Sequence, residues 1–287
     1  MTKRETAMGD LMQGKRGLVM GVANHNSIAW GAAKALSAQG AEIALTYQGD
    51  AFGRRVKPLA EEIGSKLVIP CDVEDTASLD QVFATLKEEW GTIDFVLHAI
   101  AFSDKSELKG LYADTTRENF TRTMVISCFS FTEVAKRAAA MMGNGGSMVT
   151  MTYGGAVRVM PNYNVMGVAK AALEASVRYL AADFGPRNIR VNAVSAGPVR
   201  TLAGAGVSDA RLMFNYQRRN APMRRNTTIE EVGGACLYLM SELANGVTGE
   251  IHYVDSGYNI MSMPALDELK AQEQRKVMVE GEDPIDG

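Results

Sequence analysis

Cysteine is scarce in this chain of 287 residues, with three in all, Cys71, Cys128 and Cys236. They lie far apart, and no Cys-x-x-Cys pair occurs. An odd, scattered set argues against a disulfide framework and a cysteine-based zinc site. Reduced, buried thiols are the expectation. The histidines His25, His98 and His252 form no His-Glu-x-x-His pattern, so no metal site is expected. No apolar run reaches the roughly 20 residues of a membrane span. Residues 1–14 are polar and charged and lack the apolar core of a signal peptide. A cytoplasmic location is expected. Nor is there an excess of one charge: 30 basic against 33 acidic residues leave a net charge of -3. That balance favours neither nucleic acid nor an anionic membrane as partner.

What is present is an ordinary globular composition, 46 % hydrophobic, in a length that suits one large α/β domain or two small ones. Short apolar runs alternate with longer amphipathic ones. Strands are expected at 17–21, 41–47, 66–70, 93–99, 146–151, 189–194 and 250–254. Helices are expected at 27–39, 52–63, 76–90, 116–141, 162–184 and 229–241. Alternation of this kind signals parallel βαβ units, whose strands read as continuous apolar runs because both faces are covered. No linker and no internal repeat interrupts it. The fold class expected is α/β, one doubly wound Rossmann-type domain with about seven parallel strands and helices on both faces. Its span is 15–264, after a flexible N-terminus at 1–14 and before a charged tail at 265–287 that should fray or drape over a neighbour. The long connection 195–227 has the length of a lid or binding loop.

The turn Gly21 to Gly31 joins the first strand to the first helix, with Ser27 a plausible N-cap. Backbone N–H groups at a helix N-terminus attract a pyrophosphate, and small residues let it approach. The turn is not a Gly-x-Gly-x-x-Gly string, so its position carries the reading. At the end of the second strand an acidic residue would select NAD and an arginine NADP. Tyr47-Gln48 stands there, with Arg54 and Arg55 beyond, so these residues leave the choice open. Asp72, after the third strand, could accept a hydrogen bond from an adenine amino group.

Tyr163 lies seven residues before Lys170. On a helix that is nearly two turns, about 10 Å along the axis, so the two share a face and could close around a ligand. A phenol can donate to an oxyanion, and an ammonium lowers the cost of negative charge nearby. An amphipathic helix with a snorkelling lysine is the plainer reading.

Taken together, the Gly21–Ile28 turn, Tyr153…Tyr163…Lys170, the run Pro161 to Gly167, and the run Ala196 to Ala203 resemble the short-chain dehydrogenase/reductase superfamily. Within it they are most similar to the bacterial NADH-dependent enoyl-[acyl-carrier-protein] reductases, over residues 11–264. The superfamily at large uses Tyr-x3-Lys. Here Met166 occupies that place and Tyr163 lies one turn earlier, the displacement that enoyl reductases of this type show. The resemblance implies NADH as hydride donor, with Gly21, Ser27, Ile28, Gln48, Asp72, Val73 and Ile100 in contact with it. It implies that Lys170 holds the nicotinamide ribose. Val199, Arg200, Thr201, Leu202 and Ala203 would run beside the nicotinamide and pyrophosphate. Tyr153, Tyr163 and Lys170 would be catalytic. Ser103, Tyr163, Met166, Leu202 and Phe214 would meet substrate, although Ala101-Phe102-Ser103 departs from the small residues common there. The implied reaction is reduction of a trans-2-enoyl thioester, with an acyl carrier protein as partner and a homotetramer as the assembly.

Two readings of 201–227 stand side by side. Leu202, Val207, Leu212, Met213, Phe214, Tyr216 and Met223 suit a lid over an acyl chain, and the spacing of Leu212 and Tyr216 suits a core helix. Arg211, Arg218, Arg219, Arg224 and Arg225 suit either a solvated face or a dock for an acidic carrier. A 3-oxoacyl or other carbonyl reductase is the nearest rival, but Met166 removes the Tyr-x3-Lys it needs. A non-catalytic NAD(P)-sensing protein is the second rival. It would have little use for Tyr163, Lys170 and a long apolar lid together.

Overall fold

The computed structural model describes residues 9–199 and 210–280. Seven parallel strands form one sheet in the order β3-β2-β1-β4-β5-β6-β7. They are β1 Arg16–Met20, β2 Glu42–Tyr47, β3 Leu67–Pro70, β4 Phe95–His98, β5 Gly146–Thr152, β6 Ile189–Ala196 and β7 Ile251–Val254. Strand β6 is buried along its whole length, as a central parallel strand must be. The strand order reverses between β1 and β4. At that point the crossovers leave in opposite directions and a crevice opens at the carboxyl edge.

Successive strand residues point to opposite faces and feed two cores. Leu18, Met20, Val96 and Met148 join α3 (Thr76–Trp90), α5 (Ser130–Met141) and α6 (Asn164–Phe184) in one core. Val19, Phe95, Leu97 and Val149 join α1 (Ile28–Ser37), α2 (Gly49–Glu62) and α8 (Ile229–Met240) in the other. Helices α1 and α8 meet almost backbone to backbone. A Cβ on Gly31 would stand 2.4 Å from the Ile229 carbonyl oxygen, and one on Gly233 would stand 2.5 Å from the Gly31 oxygen.

Several expectations need correcting. Residues 9–14 are anchored rather than loose. Met12 is 1 % exposed, and its N–H donates to the Gln39 carbonyl. The expected helix 116–141 is broken into α4 (Arg117–Met124), a π-helical turn (Val125–Phe129) and α5. Two serines account for the widening. Ser130 Oγ donates back to the Ile126 carbonyl, and Ser127 Oγ exchanges hydrogen bonds with the Phe102 backbone. Within the expected lid, Ala210–Asn220 is a helix, α7. The charged tail is helical over Leu266–Glu280, as α9. Its residues are strong helix formers, and Asp267 and Glu268 in its first turn suit the positive end of the helix dipole.

Gly31→Ala should destabilise the fold, because extra volume at a backbone contact costs about 1–3 kcal/mol. A melting temperature lowered by roughly 2–10 °C is expected. Gly234→Ala, whose Cβ would meet nothing within 4 Å, is the control and should be neutral or stabilising. Equal melting of both variants would contradict the contact.

Candidate active site at the carboxyl edge of the sheet

Gly21 directly follows β1, with φ +101°. A Cβ there would lie 2.1 Å from the Ala99 carbonyl oxygen at the end of β4, so only glycine lets the two strand ends close at the switch point. Ser27 sits at the N-cap of α1, but its hydroxyl reaches backwards. It accepts from the Ala23 and Asn24 N–H groups, at 3.0 and 3.1 Å. That folds the turn and leaves the first N–H groups of α1, on Ile28 and Ala29, without an acceptor among the described residues. No acidic side chain stands in that first turn. The terminus is a fitted anion site, which suits the pyrophosphate of a dinucleotide.

The adenine-side candidates also converge. Gln48 Nε2 donates to Asp72 Oδ2 at 3.0 Å across the ends of β2 and β3. The Asp72 N–H is held by Ser78 Oγ, and Val73 is buried beneath. Ile100 is half-buried at the end of β4 and Val199 after β6. Arg200, Thr201, Leu202 and Ala203 lie outside the described residues.

Tyr153 follows the last residue of β5, and Tyr163 precedes the first residue of α6. Their rings meet edge to face, with centroids 5.1 Å apart and planes at 71°. Tyr163 stands between two left-handed asparagines, Asn162 at φ +56° and Asn164 at φ +31°. Asparagine tolerates that region better than other side chains. The Asn164 amide ties the corner to the Glu107 and Gly110 carbonyls. Gly155 leaves room for the Tyr163 ring, which a Cβ would approach to 2.5 Å. Burial raises the Tyr163 phenol above its ordinary pKa, with Tyr153 adding to the effect. Tyr153 is pushed up to about 12 by burial, then by Tyr258 and Asp255. Both phenols keep their protons at neutral pH, so each is able to donate a hydrogen bond and neither is a ready base.

Lys170 is 5 % exposed, and its Nζ donates to the Met151 carbonyl at 2.8 Å. Burial lowers its pKa to about 8, against weaker support from Cys128 and Glu174. No hydrogen bond joins it to either phenol among the described residues. Deeper still, His98 bonds Thr150 and Ser130 and is held neutral by burial, its pKa lowered to about 3.

The residues expected to meet substrate lie at different depths. Ser103 is buried, and its hydroxyl bonds Asn119 and Thr123. Met166 is 7 % exposed and packs with Leu108 and Val165, against Tyr163. It shapes the floor beneath Tyr163. Phe214 lies half-buried on α7. That helix is docked by Gln217 to the Asp255 carbonyl and by Asn220 to the Ala265 N–H. A crevice of about 30 Å³, water-sized, opens between Tyr153, Met160, Gly197, Gln217 and Tyr258. In the basic cluster, Arg219 pairs with Glu268, Arg224 with Asp267 and Arg225 with Glu231. Arg211 and Arg218 have no acidic partner among the described residues.

Sequence reasoning missed Arg122. Its guanidinium makes two bonds to Glu74, at 2.8 and 2.7 Å, and lies 4.5 Å over the Phe102 ring. It thereby ties the loop after β3 to the loop after β4. No spacing rule announces such a contact. The asparagines flanking Tyr163 were the one readable signal of its unusual corner.

The fold and its edge are those of a doubly wound dinucleotide-binding enzyme. A family model described as enoyl-(acyl carrier protein) reductase matches residues 21–259. The chain belongs to the enoyl-(acyl carrier protein) reductase family. It is 71 % identical, over 92 % of its length and 98 % of the relative, to enoyl-[acyl-carrier-protein] reductase [NADH] 2 of Rhizobium meliloti (strain 1021). It is 56 % identical to the NADH enoyl-[acyl-carrier-protein] reductase of Rickettsia conorii, over 89 % of this chain and 98 % of the relative. Among solved structures, the Anaplasma phagocytophilum enoyl-(acyl-carrier-protein) reductase in complex with NAD superposes with a TM-score of 0.87 at 58 % identity, covering 90 % of this chain and 98 % of that one. The Bacillus cereus enzyme with NADP+ and an indole naphthyridinone gives 0.87 at 50 %, covering 88 % of this chain and 100 % of that one.

A lysine whose folded pKa falls from 10.5 to about 8 binds fewer protons folded than unfolded in that window. Stability contributed by this site therefore rises with pH between the two values. At neutral pH the buried charge costs up to about 3 kcal/mol. Lys170→Met should melt above the parent at pH 7, and the difference should shrink towards pH 10. A variant that melts lower than the parent at pH 7 would contradict this.

Proposed function

We propose that this chain is an NADH-dependent enoyl-[acyl-carrier-protein] reductase, which reduces the trans-2 double bond of enoyl thioesters in the last step of fatty-acid elongation. The observation that carries the reading is the place of Tyr163. It sits at the start of α6, seven residues before Lys170, with buried Met166 four before the lysine.

The α1 N-terminus, with Gly21, Ser27 and Ile28, holds the pyrophosphate. Gln48, Asp72, Val73 and Ile100 line the adenosine side, and Lys170 holds the nicotinamide ribose. When bound, the reduced nicotinamide supplies the hydride that goes to the β-carbon of the substrate. As charge collects on the thioester oxygen, the protonated Tyr163 hydroxyl donates to it, and donors aimed at developing charge lower the barrier most. Lys170 adds positive potential from behind. Tyr153 fixes the Tyr163 ring by its edge contact and closes the pocket. The α-carbon takes its proton from solvent. Val199 flanks the nicotinamide, and Ser103, Met166 and Phe214 bound the acyl site; Arg200, Thr201, Leu202 and Ala203, expected beside them, lie outside the described residues. The reductase unit is 15–264, with 195–227 as its substrate cover. The protein works in the cytoplasm as a homotetramer, packed through α4–α5 and α6. Light scattering that gives a monomer mass would reject that assembly.

With purified protein and a trans-2-enoyl thioester, NADH should be oxidised, and a 3-oxoacyl thioester should give no oxidation. Tyr163→Phe should lower kcat by about 10²–10³-fold. Oxidation with the 3-oxo substrate alone would make the chain a carbonyl reductase. NADH binding without turnover of either would favour the sensor.

Arg211 and Arg218, without an acidic partner among the described residues, are the arginines of the cluster left to receive an acidic carrier. Charge reversal at both should raise KM severalfold for a carrier-bound substrate and leave a coenzyme A thioester unaffected, because rim charges act mainly on encounter. Equal effects on the two substrates would exclude docking there.

A further inference from the structure

Two consecutive residues at the end of β5 grip two consecutive turns of α6. The Met151 carbonyl accepts from Lys170 Nζ at 2.8 Å, and Thr152 Oγ1 donates to Glu174 Oε1 at 2.7 Å. The next residue in the chain is Tyr153. Lys170 and Glu174 are each 5 % exposed and lie at i and i+4 on one face of the helix, where side chains are neighbours. A buried carboxylate is unusual unless something requires it, and nothing in the proposed chemistry has so far used this one.

The groups around the pair decide what it can do. Lys170 faces Glu174 along its helix, Cys128 from the π-helical turn and His98 from β4. Burial holds His98 neutral and raises the Cys128 thiol above its ordinary value. Glu174 faces Lys170 and Arg178 on α6, Thr152 on β5 and Tyr253 on β7. Burial raises the Tyr253 phenol too, so it is uncharged. Burial raises the Glu174 carboxyl as well, while the Thr152 hydrogen bond, Arg178 and Lys170 favour its charged form; ionised, it is the single anion facing Lys170 among the described residues. It stands beyond direct ion-pair distance and acts through space, and the low polarity of the site strengthens such action.

We propose that Glu174 is a positioning residue for the reductase. Anchored by Thr152, it locks α6 in register against the end of β5 and keeps Lys170 an ammonium aimed at the cofactor ribose. The proposal rests on the role given to Lys170 above. Removal of the negative charge should let Lys170 lose its proton at lower pH. Removal of the anchor alone would loosen the helix without moving that titration.

The test is NADH affinity of the full-length protein at pH 6 and pH 8.5, for the parent, Glu174→Gln and Lys170→Met, with melting curves for each. Glu174→Gln keeps an oxygen for Thr152 and discards the charge. It should bind NADH like the parent at pH 6 and about three- to tenfold more weakly at pH 8.5, the effect of moving the lysine titration by half a unit to one unit. Unchanged affinity at both pH values, or equal loss at both, would overturn the proposal. Should Glu174→Gln fail to fold, Glu174→Asp keeps the charge and should keep the parent's pH dependence; a shifted dependence would overturn it. Lys170→Met binding as tightly as the parent at pH 6 would instead remove the role of Lys170, and this inference with it.

Discussion

One buried cation organises the site. The Lys170 ammonium is held by the Met151 carbonyl at the carboxyl end of β5, in surroundings that pull its pKa to about 8. A carbonyl is a poor substitute for water, so the charge is kept at a cost. The neighbouring architecture offsets part of it. Thr152 presents Glu174 one turn away, His98 stays neutral because it is buried, and α6 starts where Tyr163 can stand over the same edge. Proteins tolerate such local instability where function uses it.

The parallel topology is what brings these groups together. Gly21, Ile100, Tyr153 and Val199 come from positions scattered through the chain. Each follows a strand, and all the strands point the same way. A doubly wound sheet gathers the loops after its strands on one edge, and the reversal between β1 and β4 opens that edge into a crevice. The contact between Gly31 and the start of α8 then sets α1, and with it the N-terminus proposed to hold the pyrophosphate. Arg122 spans the next gap, from Glu74 to Phe102.

Much of this was legible in the residues. Seven largely apolar runs between amphipathic ones became seven strands within a residue or two at most boundaries, because parallel strands covered on both faces are rich in apolar residues. The tyrosine–lysine spacing, the glycine turn and the resemblance they support located the edge. The rest depended on information that a periodic pattern does not hold. Helix 116–141 looks continuous, and its π-helical turn comes from Ser127 and Ser130 bonding to partners that the fold supplies. Tyr163 reads as helical, yet two left-handed asparagines set it just before the helix. Three of the arginines that suggested a dock are matched by Asp267, Glu268 and Glu231, and the tail's acidity was readable while its destination was not. Glu174 was visible four residues after Lys170, but its importance rests on Thr152 facing it from another element.

The central claim is that cofactor binding makes use of the Lys170 charge. Ribose hydroxyls and a nearby pyrophosphate favour the ammonium, so binding should raise its pKa and draw protons from solution wherever the free protein is partly deprotonated. The measurement is calorimetry of NADH binding near pH 8 in buffers of different ionisation enthalpy. The account predicts uptake of a fraction of a proton per NADH, declining towards pH 6 and absent in Lys170→Met. A heat that is independent of buffer at pH 8, or uptake that survives the substitution, would contradict it.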